Sequence, residues 1–262
     1  MYFIGAYAEY IAVSLSMCIH KPKELTWEVC AGVPEVSTPA DLSFKPENDH
    51  DPSQTWMTAI KALFTIAEFT KGKSVLWHAG GSSVSMCGIQ LALNAGASQV
   101  FVTAGTQDKI NFCTDVLGAT AGYNYKAQDW VQEIKTATND RGVDIIIDFI
   151  GQNYFQSNLD VAAEDGRIVN LALLSGGKLS AGVDISPFLR KRVRYEGSSL
   201  RSRDIEYQCK LKAKLEKEVL PLIVAGKFTV SIEKVLKWDN VVEAHQLMES
   251  NQTKGKIICT VE

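Results

Sequence analysis

The residues best suited to chemistry lie in one short stretch. The run Ser74-Val75-Leu76-Trp77-His78 leads directly into Ala79-Gly80-Gly81-Ser82-Ser83-Val84-Ser85, and an amphipathic pattern follows. A strand that turns through small residues into a helix aims the helix's first N–H groups at one point. The missing side chains let a phosphate come close to the backbone. A second apolar run, Gln99-Val100-Phe101-Val102-Thr103, follows at the spacing of a βαβ dinucleotide site. The turn departs from a full G-x-G-x-x-G, which wants glycine where Ser83 and Ser85 stand, and a Cβ clashes at either position if it needs φ > 0.

The second run ends in Thr103-Ala104-Gly105-Thr106, with Lys109 just beyond. An NAD site usually places an acid about twenty residues past the turn to bind the ribose 2′-OH. No carboxylate ends this strand and a lysine stands close by, so the expected dinucleotide is NADPH. Asp108 falls at the start of the next helix, where an acid also complements the macrodipole. Competing chemistries fail on spacing. Gly72-Lys73-Ser74 ends like a triphosphate loop, but the glycine required earlier is Ala67. No tyrosine has a lysine four positions later, and no G-x-S-x-G occurs, which removes the short-chain reductase pair and the serine hydrolase elbow. His78 and His245 read as ordinary strand-end and helix residues, and no catalytic residue is nominated.

These residues need a scaffold that sets strand ends side by side. From Gly72 onward, β-branched runs alternate with helical patterns, the signature of a parallel sheet covered by helices. Further strands are expected at 143–147, 167–171 and 194–197. Helices are expected at 84–95 and along the stripe Leu211, Leu215, Val219, Leu222 and Ile223, with Lys210, Lys212, Lys214 and Lys217 on the wet side. The fold class is α/β. Before Gly72 the rhythm is lost. Ala8-Glu9-Tyr10-Ile11-Ala12-Val13 reads as a strand, and residues 36–54, with three prolines and Glu47-Asn48-Asp49-His50-Asp51, read as a disordered linker.

Composition narrows the partners. The 262 residues are 46% hydrophobic and 22% charged, enough to bury a core, and the net charge of −3 gives no basic field for nucleic acid or an anionic membrane. Neither a signal peptide nor a run of about 20 apolar residues is visible, so a cytoplasmic location is expected. Cys18, Cys30, Cys87, Cys113, Cys209 and Cys259 are too dispersed for a metal site and read as reduced thiols.

Several strings carry a resemblance: Gly5-Ala6-Tyr7-Ala8-Glu9-Tyr10, Val33-Pro34-Glu35 resuming at Thr55-Trp56-Met57-Thr58-Ala59, His78-Ala79-Gly80, Thr103-Ala104-Gly105-Thr106, Gly122-Tyr123-Asn124-Tyr125-Lys126, Asp148-Phe149-Ile150-Gly151 and Leu200-Arg201-Ser202-Arg203-Asp204. Together they resemble the zinc-free, zeta-crystallin-like quinone oxidoreductases of the medium-chain dehydrogenase/reductase superfamily, closest to the tumour-suppressor-inducible branch. The resemblance implies a Rossmann doubly wound parallel sheet at 56–227, an incomplete GroES-like β domain at 1–55 and a return to that domain at 228–262. It implies homodimers that reduce quinones with NADPH. Ala79, Gly80, Gly81, Ser82, Ser83 and Val84 would cradle the pyrophosphate. Gly105, Thr106, Lys109 and Tyr125 would hold the 2′-phosphate. Thr58, Gly151 and the strand end 171–174, Leu173 included, would line the nicotinamide, and Asn251 would close over the cofactor.

Against that family the chain begins inside the catalytic domain, as an N-terminal truncation would. Residues 36–54 form an insertion that starts with valine and ends with glutamine, as an in-frame retained intron or a surface loop would. The alternative function is a Rossmann remnant that binds nucleotide or a partner without turnover.

Overall fold

The computed structural model describes residues 15–33, 55–179, 181–200 and 202–261. The strand expected at 8–13, the linker expected at 36–54, and Pro34, Glu35 and Arg201 of the family strings lie outside the described residues. Six parallel strands form the main sheet: β1 (Ser74–Trp77), β2 (Gln99–Ala104), β3 (Ala121–Asn124), β4 (Val143–Asp148), β5 (Ala162–Asn170) and β6 (Arg194–Gly197). Their order, β3-β2-β1-β4-β5-β6, is that of the doubly wound dinucleotide fold. Two more parallel strands, β7 (Ile232–Lys237) and β8 (Lys256–Thr260), pair separately. The α-helices, in chain order, are α1 (Trp27–Gly32), α2 (Thr55–Ile60), α3 (Ser83–Asn94), α4 (Gln107–Asn111), α5 (Trp130–Ala137), α6 (Phe155–Val161), α7 (Ser186–Arg190), α8 (Ile205–Lys214), α9 (Leu220–Val224) and α10 (Val241–Glu249). None of the described helices is long and apolar enough to cross a membrane.

Burial follows the two-residue period of the strands. Val75 and Trp77 of β1, with Ile145 and Ile147 of β4, join one apolar layer, which also holds Trp56 and Ile60 of α2, Leu63 just after it, Ile89 of α3 and Leu211 of α8. Leu76 and Ile146 face the opposite layer with Phe101, Trp130, Ile134 and Leu159. Both faces of β1 and β4 are covered, so both strands are buried along their whole length. That is why each carries a continuous apolar stretch, Val75–Trp77 and Ile145–Ile147.

One carboxylate pins the N-terminal ends of these strands together. Asp144, 5% exposed, accepts from Ser74 N (2.8 Å), Ser74 Oγ (2.8 Å), Lys73 Nζ (3.0 Å) and Arg141 Nη2 (2.9 Å). Burial pushes its pKa up, but the hydrogen bonds from Arg141, Ser74 and Lys73 outweigh that and hold it below the usual carboxylate range. With β1 and β4 fixed there, the chain leaves their opposite ends toward different sides of the sheet. The crevice between those ends is where a ligand binds in open α/β folds.

Candidate dinucleotide site

Beyond β1, His78 is still paired to the sheet, its N–H bonded to Ile147 O at 3.1 Å, and the turn begins at Ala79. Ala79 has φ 50, so the left-handed residue of the turn is an alanine. Gly80 donates its N–H to Thr103 O at 2.8 Å, tying the turn to β2. A Cβ on Gly80 would stand 3.2 Å from both Cys113 Sγ and Val102 Cβ, so close approach rather than φ favours glycine there. Ser82 is the N-cap of α3 without capping it through its side chain, and no acid lies in the first turn. The twelve-residue helix therefore presents its first N–H groups and its positive end at the turn.

The strain anticipated at Ser83 and Ser85 is absent. Neither has positive φ, because Ser83 already opens α3 and Ser85 lies within its first turn. Ser85 is fully buried, and its Oγ donates to His78 O at 2.8 Å, satisfying the last strand carbonyl. The indispensable glycine of α3 is instead Gly88, where a Cβ would fall 2.0 Å from Cζ2 of buried Trp77.

At the end of β2, Thr106 caps α4, its Oγ1 accepting from Lys109 N at 3.3 Å. Tyr125 and Lys126 come over Gly105 from the end of β3, where a Cβ would meet Tyr125 Oη at 2.8 Å and Lys126 Cε at 3.2 Å. Both side chains are exposed. Lys109 goes elsewhere. Its stem crosses Gly81, with Cδ 2.6 Å from where a Cβ would be, and its Nζ donates to Asn251 O at 2.7 Å. Burial lowers its pKa, and the positive charges of Lys126 and Lys254 act in the same direction. Asp108, in the first turn of α4, is ion-paired with Lys254.

The third part of the crevice lies past β4 and β5. Buried Asp148 accepts from Ile150 N at 2.8 Å and Gly151 N at 3.1 Å, and Asn170 Nδ2 donates to it at 3.2 Å. Gly151, at φ 81, is closed in by Leu173 Cδ2 and Gly176 O, at 2.8 and 2.9 Å from a hypothetical Cβ. Backbone bonds from Leu174 N to Phe149 O (3.0 Å), Ser175 N to Ile150 O (2.8 Å) and Gln152 N to Gly176 O (3.0 Å) stitch the two loops into a shelf. Leu173 is 48% exposed on it.

The turn residues 79–84 thus lie together, Gly105, Thr106 and Tyr125 form a second group, Gly151 and Leu173 a third, and Lys109 and Asn251 meet each other. Thr58 is half-buried on α2, which packs along α3. His78 is no acid–base group at this surface. Its Nδ1 lies 2.8 Å from Thr103 Oγ1, its Nε2 lies 2.7 Å from Asn158 Oδ1, and the Trp130 and Tyr154 rings enclose it. Burial lowers its pKa, although the charge of Asp148 works against that. Lys126 and Asp148 stood in the family strings without a role, and Lys254 and Gly88 were not singled out in the sequence at all. For Lys126 the signal was available, since it directly follows Tyr125.

Among curated proteins, the lovastatin diketide synthase lovF of Aspergillus terreus is 26% identical over 98% of this chain and 9% of its own length. The chain therefore spans about a tenth of the curated relatives it matches. Among solved structures, an NAD-dependent alcohol dehydrogenase superposes with a TM-score of 0.77 at 27% identity, over 98% of this chain and 65% of that one. The CurK enoyl reductase superposes with a TM-score of 0.74 at 24% identity, over 95% and 67%. A family model described as zinc-binding dehydrogenase matches residues 83–215, from the first residue of α3 to just past α8 and more than half of the chain. The glycine-lined turn, the strand order and this match agree: the chain belongs to the zinc-binding dehydrogenase family, within the medium-chain dehydrogenase/reductase superfamily.

Proposed function

We propose that the chain is an oxidoreductase that binds NADPH and reduces an electron-poor double bond conjugated to a carbonyl. The observation that carries the cofactor choice is the end of β2. No carboxylate closes that strand, Asp108 is taken up by Lys254, and exposed Lys126 stands with Tyr125 over Gly105, where a ribose 2′-phosphate would sit. A cation and a phenol placed there favour a phosphate over a bare hydroxyl.

The residues fit the cofactor along its length. The turn 79–84 and the N-terminus of α3 would hold the pyrophosphate, and Lys109, lying across Gly81, is within reach of the same region. Gly151 and Leu173 would form the floor under the nicotinamide, with the glycine permitting close approach. Bound NADPH supplies the hydride. The chain's own work is to fix the orientation of that donor and to keep the shelf apolar, which excludes water.

The enoyl and polyketide relatives favour an α,β-unsaturated acyl substrate. Quinone reduction, which the zeta-crystallin-like strings suggest, is the same chemistry on a cross-conjugated dione. Zinc figures in the family's name; among the described residues no three His, Cys, Asp or Glu side chains stand together to hold an ion. We place a homodimer contact at β6, the outer strand of the sheet, beside Ile185 and Leu189, which are 64% and 84% exposed.

Fluorescence titration of the native chain and Lys126→Met with NADPH and NADH tests the reading. Loss of one charge-assisted bond, about 1.5–3 kcal/mol, weakens NADPH roughly 10- to 150-fold and leaves NADH unchanged. Equal binding of the two by the native chain refutes the cofactor choice. Saturable NADPH binding without turnover of either an enoyl thioester or a quinone assigns the chain to nucleotide binding alone.

A further inference from the structure

We propose that the turn between α10 and β8, residues 250–255, is a latch on the dinucleotide groove that holds Lys109 until a ligand phosphate takes it. The proposal rests on the dinucleotide reading and adds regulation to that site.

Lys109 is 9% exposed, unusually buried for a lysine, because its stem lies on Gly81 and the turn covers its end. Its Nζ meets Asn251 O at 2.7 Å and stands 3.4 Å from Asn251 Oδ1. Both oxygens belong to uncharged groups. The charges that reach Lys109 from outside this contact are Lys126 and Lys254, which repel it, and Glu233, which attracts it. An ammonium held by a neutral carbonyl is a weak arrangement beside one held by a phosphate, since charge-assisted bonds are roughly twice as strong.

The turn is clamped at two more points. Lys254 Nζ pairs with Asp108 on α4, and Lys254 N donates to Glu233 Oε2 of β7 at 2.8 Å. Asn251 itself is held at φ 54, a left-handed conformation that asparagine tolerates, and this turns its carbonyl toward the lysine. The closed turn and a bound phosphate therefore compete for one ammonium. Ligand binding frees the Asn251 carbonyl and loosens residues 251–255, the opposite of the closure over the cofactor that the family resemblance implies for Asn251. Conversely, anything that strengthens the Lys254–Asp108 clamp weakens dinucleotide binding.

The test keeps Lys109 and the net charge unchanged while removing the clamp, in the double variant Asp108→Asn/Lys254→Gln. Its NADPH dissociation constant falls at least threefold below that of the native chain. Hydrogen exchange on the native chain gives the second readout: the amides of 251–255 exchange faster when NADPH is saturating. An unchanged or weaker affinity in the double variant, or amides that slow or stay the same at saturation, overturns the latch and leaves the cofactor reading standing. No saturable NADPH binding by the native chain overturns the cofactor reading and the latch with it.

Discussion

Replacing Gly88 with alanine tests how the cofactor turn is held, because α3 crosses β1 at that residue. A Cβ on Gly88 would lie 2.0, 2.2 and 2.4 Å from Cζ2, Cη2 and Cε2 of Trp77. Carbon atoms in ordinary contact stand about 3.5–4.0 Å apart, so the ring or the helix must retreat by roughly 1.5 Å. Trp77 is fully buried and packed between β1 and α3, so the indole has no solvent to swing into. Overpacking of this kind costs about 1–3 kcal/mol, and so severe an overlap belongs at the top of that range. Alanine's better helix propensity returns about 1 kcal/mol. The net loss is about 2 kcal/mol, read as a lower urea midpoint with unchanged slope. Lifting α3 also moves its N-terminus off the turn, so NADPH affinity falls in the same variant. Trp77→Leu in the Gly88→Ala background removes the colliding ring and restores part of both losses. Gly88→Ala matching or exceeding the native stability, or strictly additive effects in the double-mutant cycle, would refute the close crossing.

His78 is buried with a lowered pKa, so the unfolded chain binds its proton first; stability is complete above about pH 6.5 and falls by up to about 1.4 kcal/mol per pH unit below it. His78→Gln flattens that slope between pH 6.5 and 5 in denaturant titrations, and an unchanged slope counts against a buried neutral imidazole. Asp144→Asn costs about 2 kcal/mol in thermal or urea unfolding, less than a fully buried pair, because Lys73 and Arg141 are 45% and 54% exposed and can turn to water. A cost under about 0.5 kcal/mol would mean that this carboxylate does not fix the β1–β4 register. Gly151→Ala forces a Cβ against Gly176 O at φ 81; it weakens NADPH binding at least tenfold while NADPH still competes with adenosine 2′,5′-bisphosphate, and loss of both ligands would place the damage outside the nicotinamide shelf.

The strands nearest the sheet centre were legible because burial on both faces leaves short, continuous β-branched or apolar stretches. Ser74–Trp77, Gln99–Ala104 and Val143–Asp148 all appear where the β-branched runs place them, and Arg194–Gly197 matches its expected bounds. β3 was not legible as a strand. Three of its four residues, Ala121, Gly122 and Asn124, are depleted in strands, and only Tyr123 is both a strand former and buried. Gly122 is there because Ile110 and Val102 leave no room for a Cβ, a tertiary reason that no local window contains. β5 begins at Ala162, well before the expected Arg167, because Ala162 pairs with Val143 and the register then shifts around a polar bend that includes Asp165 at φ 57.

The site shows the same division between local and distant causes. The phosphate turn could be found from sequence because strand, turn and helix are contiguous, but counting glycines misjudged it. The turn's left-handed residue is Ala79, and the first two serines of α3 occupy helical positions where a Cβ is harmless, so their substitution for glycine carries no backbone penalty. What spacing could not supply was direction. Lys109 lies close to the β2 end in sequence, yet its side chain runs back over Gly81 to a partner 142 positions away, while Lys126, brought in by β3, occupies the place over Gly105. On the proposed reading, the residue that would distinguish NADPH from NADH is therefore set by strand order rather than by distance along the chain. A parallel sheet that places β3 beside β2 brings the lysine after β3 over Gly105, whatever residue stands at position 109.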